Sequence, residues 1–265
     1  MFERILVGYL DTEQGRDALE LGRILAGTNH AEMLVVTASD EDGGDLAGLA
    51  RSEAADLVVL GSTHRGPLGR VVPGATAARL LGEAPCAVAV APPGFGKTAD
   101  GYDGWRPLSG GVEDPGPRVI GVGFDGSHAA REALDAAVEL ALPNNAALRV
   151  YTVVRNYARP PATDSDGRMP GMPSEAQALR ELLHEAVAEL PDEARALPVF
   201  LRGNPADELI RATEAGVDML VLGSRPGGPL RRTLHRSVSN AVMTMASCPV
   251  LISPAGVAAR QPTLA

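Results

Sequence analysis

Ala91-Pro92-Pro93-Gly94-Phe95-Gly96-Lys97-Thr98 is the segment whose residue types most openly offer chemistry. It satisfies a loose spelling of the glycine-rich phosphate loop, with Ala at its start. In such a loop backbone N–H groups cradle phosphate, a Lys reaches the outer phosphates, and a hydroxyl adds one more ligand. A strand must come before it and a helix after it. A strand-like run does precede this segment. Thr98-Ala99-Asp100-Gly101-Tyr102-Asp103-Gly104 cannot continue as a stable helix, so a linker is the better reading.

Other reactive side chains are scattered. His30, His64, His128, His184 and His235 fall in separate segments, and none has a metal-binding spacing such as His-Glu-x-x-His. His64 beside Arg65 suits an anion, although a solvated loop histidine is the simpler reading. Ser127 and His128 are adjacent, and adjacent side chains at a helix start do not make a catalytic triad. Ser127 reads better as a helix cap. Cys86 and Cys248 recur at equivalent strand starts. Buried small hydrophobes are the plain reading, and a redox pair would require close approach. We expect no catalytic constellation, no enzyme activity beyond slow incidental hydrolysis, and no metal site.

The elements that hold these residues come from a duplicated chain. Asp56–Pro92 lies over Asp218–Pro254 without a gap at an offset of 162, and 13 of the 37 positions are identical. Asp56/Asp218, Gly61/Gly223, Ser62/Ser224, Leu68/Leu230, Arg70/Arg232 and Cys86/Cys248 are among them. A second block aligns at an offset of 115, pairing Ile5, Val7, Gly8 and Arg16 with Ile120, Val122, Gly123 and Arg131. The offsets differ by 47 residues, so the second copy carries about one more helix and strand. That extra material includes the helix-patterned Ser174–Leu190 and the strand-like Pro198–Leu201.

In the second copy strands and helices alternate. Arg118–Phe124 reads as a buried strand, and Ser127 caps a helix over Ala129–Leu142. Leu148–Val154 is a strand. Ser174–Leu190 is a helix with an apolar stripe of Leu179, Leu182, Leu183, Ala186, Val187 and Leu190. Asn204-Pro205 opens a helix to about Ala215. Asp218–Leu222, Arg236–Ala246 and Pro249–Ile252 read as strand, helix and strand. Such alternation predicts a parallel sheet covered on both faces, with ligands at the strands' carboxyl ends. Residues 1–92 form the shorter first domain, 93–117 a Gly/Pro-rich linker, 118–254 the full second domain, and 255–265 a tail. Arg155–Pro173 is a second Pro-rich loop.

Composition narrows the function classes. The chain has 265 residues, 22% of them charged, and two cysteines, which excludes a disulfide-framed scaffold. Its net charge of −9 argues against a broad nucleic-acid surface. A local basic run, Arg225–Arg236, keeps phosphate ligands open. Met1–Ile5 enters a strand-like run directly, with no leader-like segment, and no run approaches the ~20 apolar residues of a membrane helix. A cytoplasmic location is the expectation.

Asp125-Gly126-Ser127 after the first strand, Asp218–Ser224 running into Gly-Ser, the basic loop and helix, and Cys248-Pro249-Val250 resemble the universal stress protein family, duplicated in tandem. The resemblance implies two α/β sandwiches of Rossmann-like, adenine-nucleotide-hydrolase-like type with parallel sheets. It also implies dimerisation through the last strand, here Ala87–Val90 and Val250–Ile252. These could pair within one chain, and a homodimer is expected. Many members bind ATP through a loop reading Gly, two residues, Gly, nine residues, Gly, then Ser or Thr. The first copy departs from it at His64 and Ala75, and its acid position holds Leu10, with Asp11 one residue late. We read it as an empty partner. The second copy has Pro226 and Arg236 where glycines stand, but keeps Gly223 and Ser237. The resemblance then implies an adenine-nucleotide site from Asp125, Val153, Gly223, Ser224, Arg225, Arg236, Ser237 and Val238. The two guanidinium groups would replace backbone donors toward phosphate. The alternative is a nucleotide-free scaffold that acts through protein contacts.

Overall fold

The computed structural model describes residues 2–37, 45–62, 80–81, 84–96, 116–155, 175–224 and 238–254. Along them run β1 (Arg4–Tyr9), α1 (Glu13–Asn29), β2 (Glu32–Thr37), α2 (Leu46–Ser52), β3 (Leu57–Gly61) and β4 (Ala87–Ala91). The second half contains β5 (Val119–Gly123), α3 (His128–Ala141), β6 (Ala147–Val154), α4 (Glu175–Ala188) and β7 (Leu197–Arg202). It ends with α5 (Pro205–Glu214), β8 (Met219–Ser224), α6 (Val238–Met245) and β9 (Val250–Pro254). The expected alternation is present. Short polar side chains start the helices as anticipated. The Ser127 hydroxyl accepts from the Ala130 N–H, and the Asn204 side chain accepts from the Ala206 N–H with Pro205 in the first turn.

The strands form one sheet in the order β2-β1-β3-β4-β9-β8-β5-β6-β7. Each half is parallel throughout, as expected of the two tandem units, but the two share one sheet, joined through their last strands, rather than holding one each. Every neighbouring pair is parallel except β4 and β9, which run antiparallel with Val88 opposite Ile252, Ala89 opposite Leu251 and Val90 opposite Val250. The cause is physical. β4 and β9 are short apolar strands, and each alone would leave an open, aggregation-prone edge. Pairing satisfies both edges at once. One face of the sheet buries α1, α3 and α4. The other buries α2, α5 and α6. Both faces are covered, which is why β3 reads Leu-Val-Val-Leu without polar alternation.

The extra helix and strand inferred from the offsets are α4 and β7. The first half passes from β2 to α2 without them, so β2 is an edge where its counterpart β6 is internal. Val35 on β2 is 47% exposed, while the corresponding Val150 on β6 is fully buried beneath this added layer.

Several repeated positions have repeated jobs. Asp56 Oδ2 accepts from the N–H groups of Glu3 and Arg4, at 2.9 and 3.0 Å. Asp218 Oδ2 accepts from those of Arg118 and Val119, at 3.0 and 2.9 Å. Each aspartate therefore fastens the start of one strand to its neighbour. Asn29 and Asn144 close α1 and α3 in the same way, each donating Nδ2–H to the carbonyl four residues back at 2.8 Å. His30 and Asn145, one residue on, both take the left-handed conformation that ends a helix.

The antiparallel register also separates the cysteines. Extended along the ladder, it sets Cys86 level with Pro254 and Cys248 level with Pro92. Six residues of strand then lie between them, about 20 Å, far beyond disulfide reach. Both are buried free thiols. Burial first, and the Asp56 charge second, push the Cys86 thiol up to about 12. Burial does the same for Cys248, with the Asp218 charge adding to it. No helix among the described residues is long and apolar enough to cross a membrane.

Two predictions follow from this packing. Asp56→Ala and Asp218→Ala each leave two strand-start N–H groups without their acceptor, and each should cost about 1–3 kcal/mol in urea unfolding. Asn at either position, which retains one acceptor oxygen, should recover part of that loss. The thiolate is the reacting form, so at pH 8 neither thiol should react with a disulfide-exchange reagent on the folding-intact timescale. Two thiols per chain should react promptly in denaturant.

Candidate functional site

The carboxyl ends of β6, β5 and β8 lie side by side. Gly123 pairs with Tyr151 of β6 and with Leu222 of β8. β5 ends there and Asp125 follows it in the turn, while Val153 and Ser224 lie two residues further along β6 and β8. Chain connections depart in opposite directions from β5 and β8, which is where open α/β sheets form their ligand crevice. Sequence reasoning placed its site here, and the structure brings Asp125, Val153, Gly223, Ser224 and Val238 to this end of the sheet. Arg225, Arg236 and Ser237 lie outside the described residues, as do His64 and Arg65.

Asp125 is exposed, and its Oδ1 accepts from the Ser127 N–H at 3.0 Å. Gly126 allows the turn with a φ of 77°. The turn is tied down from below. The buried Thr152 hydroxyl donates to the Phe124 carbonyl at 2.9 Å, and the Phe124 N–H donates to the Tyr151 carbonyl at 2.8 Å. The first half closes the corresponding turn differently, with backbone alone and without a left-handed residue. There the Thr12 N–H donates to the Leu10 carbonyl at 2.7 Å, and Thr12 caps α1 as Ser127 caps α3. Loss of the acid at Leu10 therefore leaves the local fold intact.

Val153 pairs with Leu201 of β7, at a level where β5 has already ended. Its backbone is thus flanked by a strand on one side. Gly223 has a structural reason of its own. A Cβ there would stand 2.2 Å from the Ala129 carbonyl oxygen in the first turn of α3. Gly61 has the same reason, since its Cβ would stand 1.9 Å from the Gln14 carbonyl oxygen. Both glycines exist because the strand passes against a helix start, with no phosphate required. Ser239, which motif spacing did not single out, donates to the Gly223 carbonyl at 3.4 Å and ties α6 to the end of β8.

An open groove of about 640 Å³ lies at the outer edge of the sheet, lined by Arg180, Glu181, His184 and Glu185 of α4 and by Arg202 of β7. The Arg180 guanidinium sits 4.4 Å from the centre of the Phe200 ring. These residues carry mixed charge and belong to the element that the first half lacks. Among the described residues, no group of three or more His, Cys, Asp or Glu side chains is placed to hold a metal ion.

The segment spelled like a phosphate loop is occupied by the chain itself. The N–H groups of Gly94 and Gly96 donate to the Asp17 carboxylate at 2.9 and 2.7 Å. Phe95 between them is buried in the core, and Gly94 has the left-handed φ of 79° that the bend requires. A phosphate brought to these amides would meet the Asp17 charge. Lys97 and Thr98 lie outside the described residues.

Comparison with known proteins supports this layout. The model of the universal stress protein family matches residues 43–92 and 117–254. The universal stress protein YxiE of Bacillus subtilis is 32% identical over 142 residues, covering 49% of this chain and 95% of that protein. The universal stress protein Mb2028c of Mycobacterium bovis is 30% identical over 207 residues, covering 76% of this chain and 63% of that one. The structure of the functionally unknown protein PA1789 from Pseudomonas aeruginosa superposes with a TM-score of 0.66 at 17% identity, covering 96% of this chain and 93% of that one. A universal stress protein structure from Archaeoglobus fulgidus covers 96% of this chain and 86% of its own, with a TM-score of 0.57 at 14% identity. The last two speak to fold alone. On the family match, which takes in most of both halves, the chain belongs to the universal stress protein family.

Proposed function

We propose that the protein is a non-enzymatic stress regulator whose second half holds one adenine nucleotide. The observation that carries this is that Asp125, Val153 and Ser224 all lie at the carboxyl ends of three adjacent parallel strands, β5, β6 and β8. In this reading Asp125 meets the ribose or metal side of the nucleotide, and the Val153 backbone meets the base. Gly223–Ser224 and the start of α6 lie toward the phosphates, with Arg225 and Arg236 as guanidinium ligands and Ser237 as a hydroxyl donor. The first half is an empty partner, because Leu10 stands at the acid position and the outer strand is missing. The nucleotide, when bound, supplies a signal; the chain orients it and responds.

A second reading has one specific observation in its favour. Gly223 and Gly61 are explained by helix packing alone, and Asp125 already caps its own turn. That is the arrangement of a nucleotide-free scaffold acting through protein contacts. In either reading β4 and β9 are engaged with one another, so a homodimer must join through another surface.

Calorimetric titration of Mg-ATP into nucleotide-stripped protein separates the readings. The expected result is saturable binding at one site per chain. Asp125→Ala should weaken binding about ten-fold or more, equivalent to about 1.4 kcal/mol, with the thermal midpoint of the free protein nearly unchanged. Two sites per chain would overturn the empty first half. Absence of heat and of thermal stabilisation would establish the scaffold reading.

A further inference from the structure

β7 is the outermost strand of the second half, and its outer edge has no partner strand among the described residues. The Gly203 N–H donates inward to the Val154 carbonyl at 3.0 Å. Backbone groups alternate in direction along a strand. Leu201 and Val199 therefore also face β6, while the N–H and C=O groups of Phe200 and Arg202 face outward. Pro198 faces outward too, and it has no N–H to offer. The free hydrogen-bonding edge is thus the carboxyl half of β7, and the groove beside α4 lies there. We propose that this edge binds an extended acidic peptide, which adds to the sheet as a further strand beside β7 and sets its carboxylates against Arg180 and Arg202.

Charge fixes the sign of the occupant. Leu182 marks the inner flank of α4, its Cδ1 standing 3.4 Å from where a Cβ on Gly126 would be. Arg180 and His184, one turn apart, take the opposite flank and line the groove. The Phe200 ring, 4.4 Å from the guanidinium carbon, holds Arg180 in place. Stacking occupies one face of the guanidinium and leaves its N–H edges for an acceptor. Arg202 has no hydrogen-bond or ion-pair partner among the described residues. Glu181 and Glu185 also line the groove. They stand one residue further round α4, and Glu181 accepts from the Gln177 side chain at 3.1 Å.

A small anion would satisfy the arginines alone. The alternating N–H and C=O groups beside them suit a chain. The opposite edge of the sheet, β2, has no basic pair: its one charged residue is Glu32, 2.9 Å from Arg4. The β7 edge shares no residue with the crevice of the second half, so it stands in either reading of that crevice.

NMR titration of the full chain with acetyl-Val-Glu-Val-Glu-Val-Glu-Val-amide tests the proposal. The expected result is saturable shifts confined to β7 and α4, with slowed exchange of the Phe200 and Arg202 amides. The same peptide with Lys for Glu should bind about ten-fold more weakly. Arg202→Glu should weaken the acidic peptide by about the same factor, with the thermal midpoint unchanged because the side chain is exposed. Two further peptides carry N-methyl groups on alternate residues, one set for each edge. One should lose binding and the other keep it, since only one edge of an added strand faces β7. Absence of saturable shifts, equal binding of the Lys peptide, equal binding of both methylated peptides, or shifts at β2 instead would overturn the proposal. Inorganic phosphate that saturates the same residues as tightly as the peptide would leave a free-anion site and overturn it. Slow exchange of Phe200 and Arg202 in the free protein that is lost on dilution would assign the edge to a second copy and overturn it equally.

Discussion

The antiparallel contact between β4 and β9 is the constraint on which the rest of the molecule depends. Each half is a parallel sheet that ends in a short, largely apolar strand. Left alone, each would expose a row of unpaired backbone groups. Joined, the two become the centre of a nine-stranded sheet, where their apolar residues are buried. The antiparallel sense has a functional consequence. All strands of one half point one way and all strands of the other half point the opposite way. The two carboxyl-end crevices therefore open at opposite ends of the sheet. Among the described residues the strand ends of the two halves lie apart, so each crevice is judged on its own side chains.

The acids of the chain do much of their work internally. Asp56 and Asp218 receive strand-start N–H groups, Asp17 receives a loop, and Asp125 receives the turn before α3. A carboxylate is the strongest side-chain acceptor for such donors, and it keeps exposed and half-buried backbone from being left unsatisfied. The net charge of −9 thus reflects in part how the fold closes its turns, and calls for no cationic partner to explain it.

Local signals in the sequence were good guides wherever the deciding interaction is local. Ser127 and Asn204 announced their helices because an N-cap bonds within three residues. The missing unit of the first half was legible as a difference of offsets, and it is α4 with β7. The direction of the seam was not legible, because strand pairing between residues 88 and 252 leaves no mark on either strand alone. The Gly94–Gly96 segment misleads for a related reason. Its spelling suits phosphate, yet the group that uses its amides is Asp17, almost eighty residues earlier. Thr152 and Ser239 escaped notice because a single hydroxyl facing a carbonyl has no spacing rule.

Gly223 and Asp125 carry unequal weight as marks of a ligand. Gly223 recurs as Gly61 in a half that has no acid, and in both places a side chain would strike the first turn of the facing helix. Packing alone retains it, whatever the site holds. Asp125 is different. Leu10 accepts the Thr12 N–H with its backbone carbonyl in a turn of different conformation, so a helix can start at this point without an acid. An exposed carboxylate at the same end of the sheet as Val153 and Ser224 is therefore the feature of this site that packing does not account for. The acid, more than the glycine, is what distinguishes the second half's strand ends from the first's.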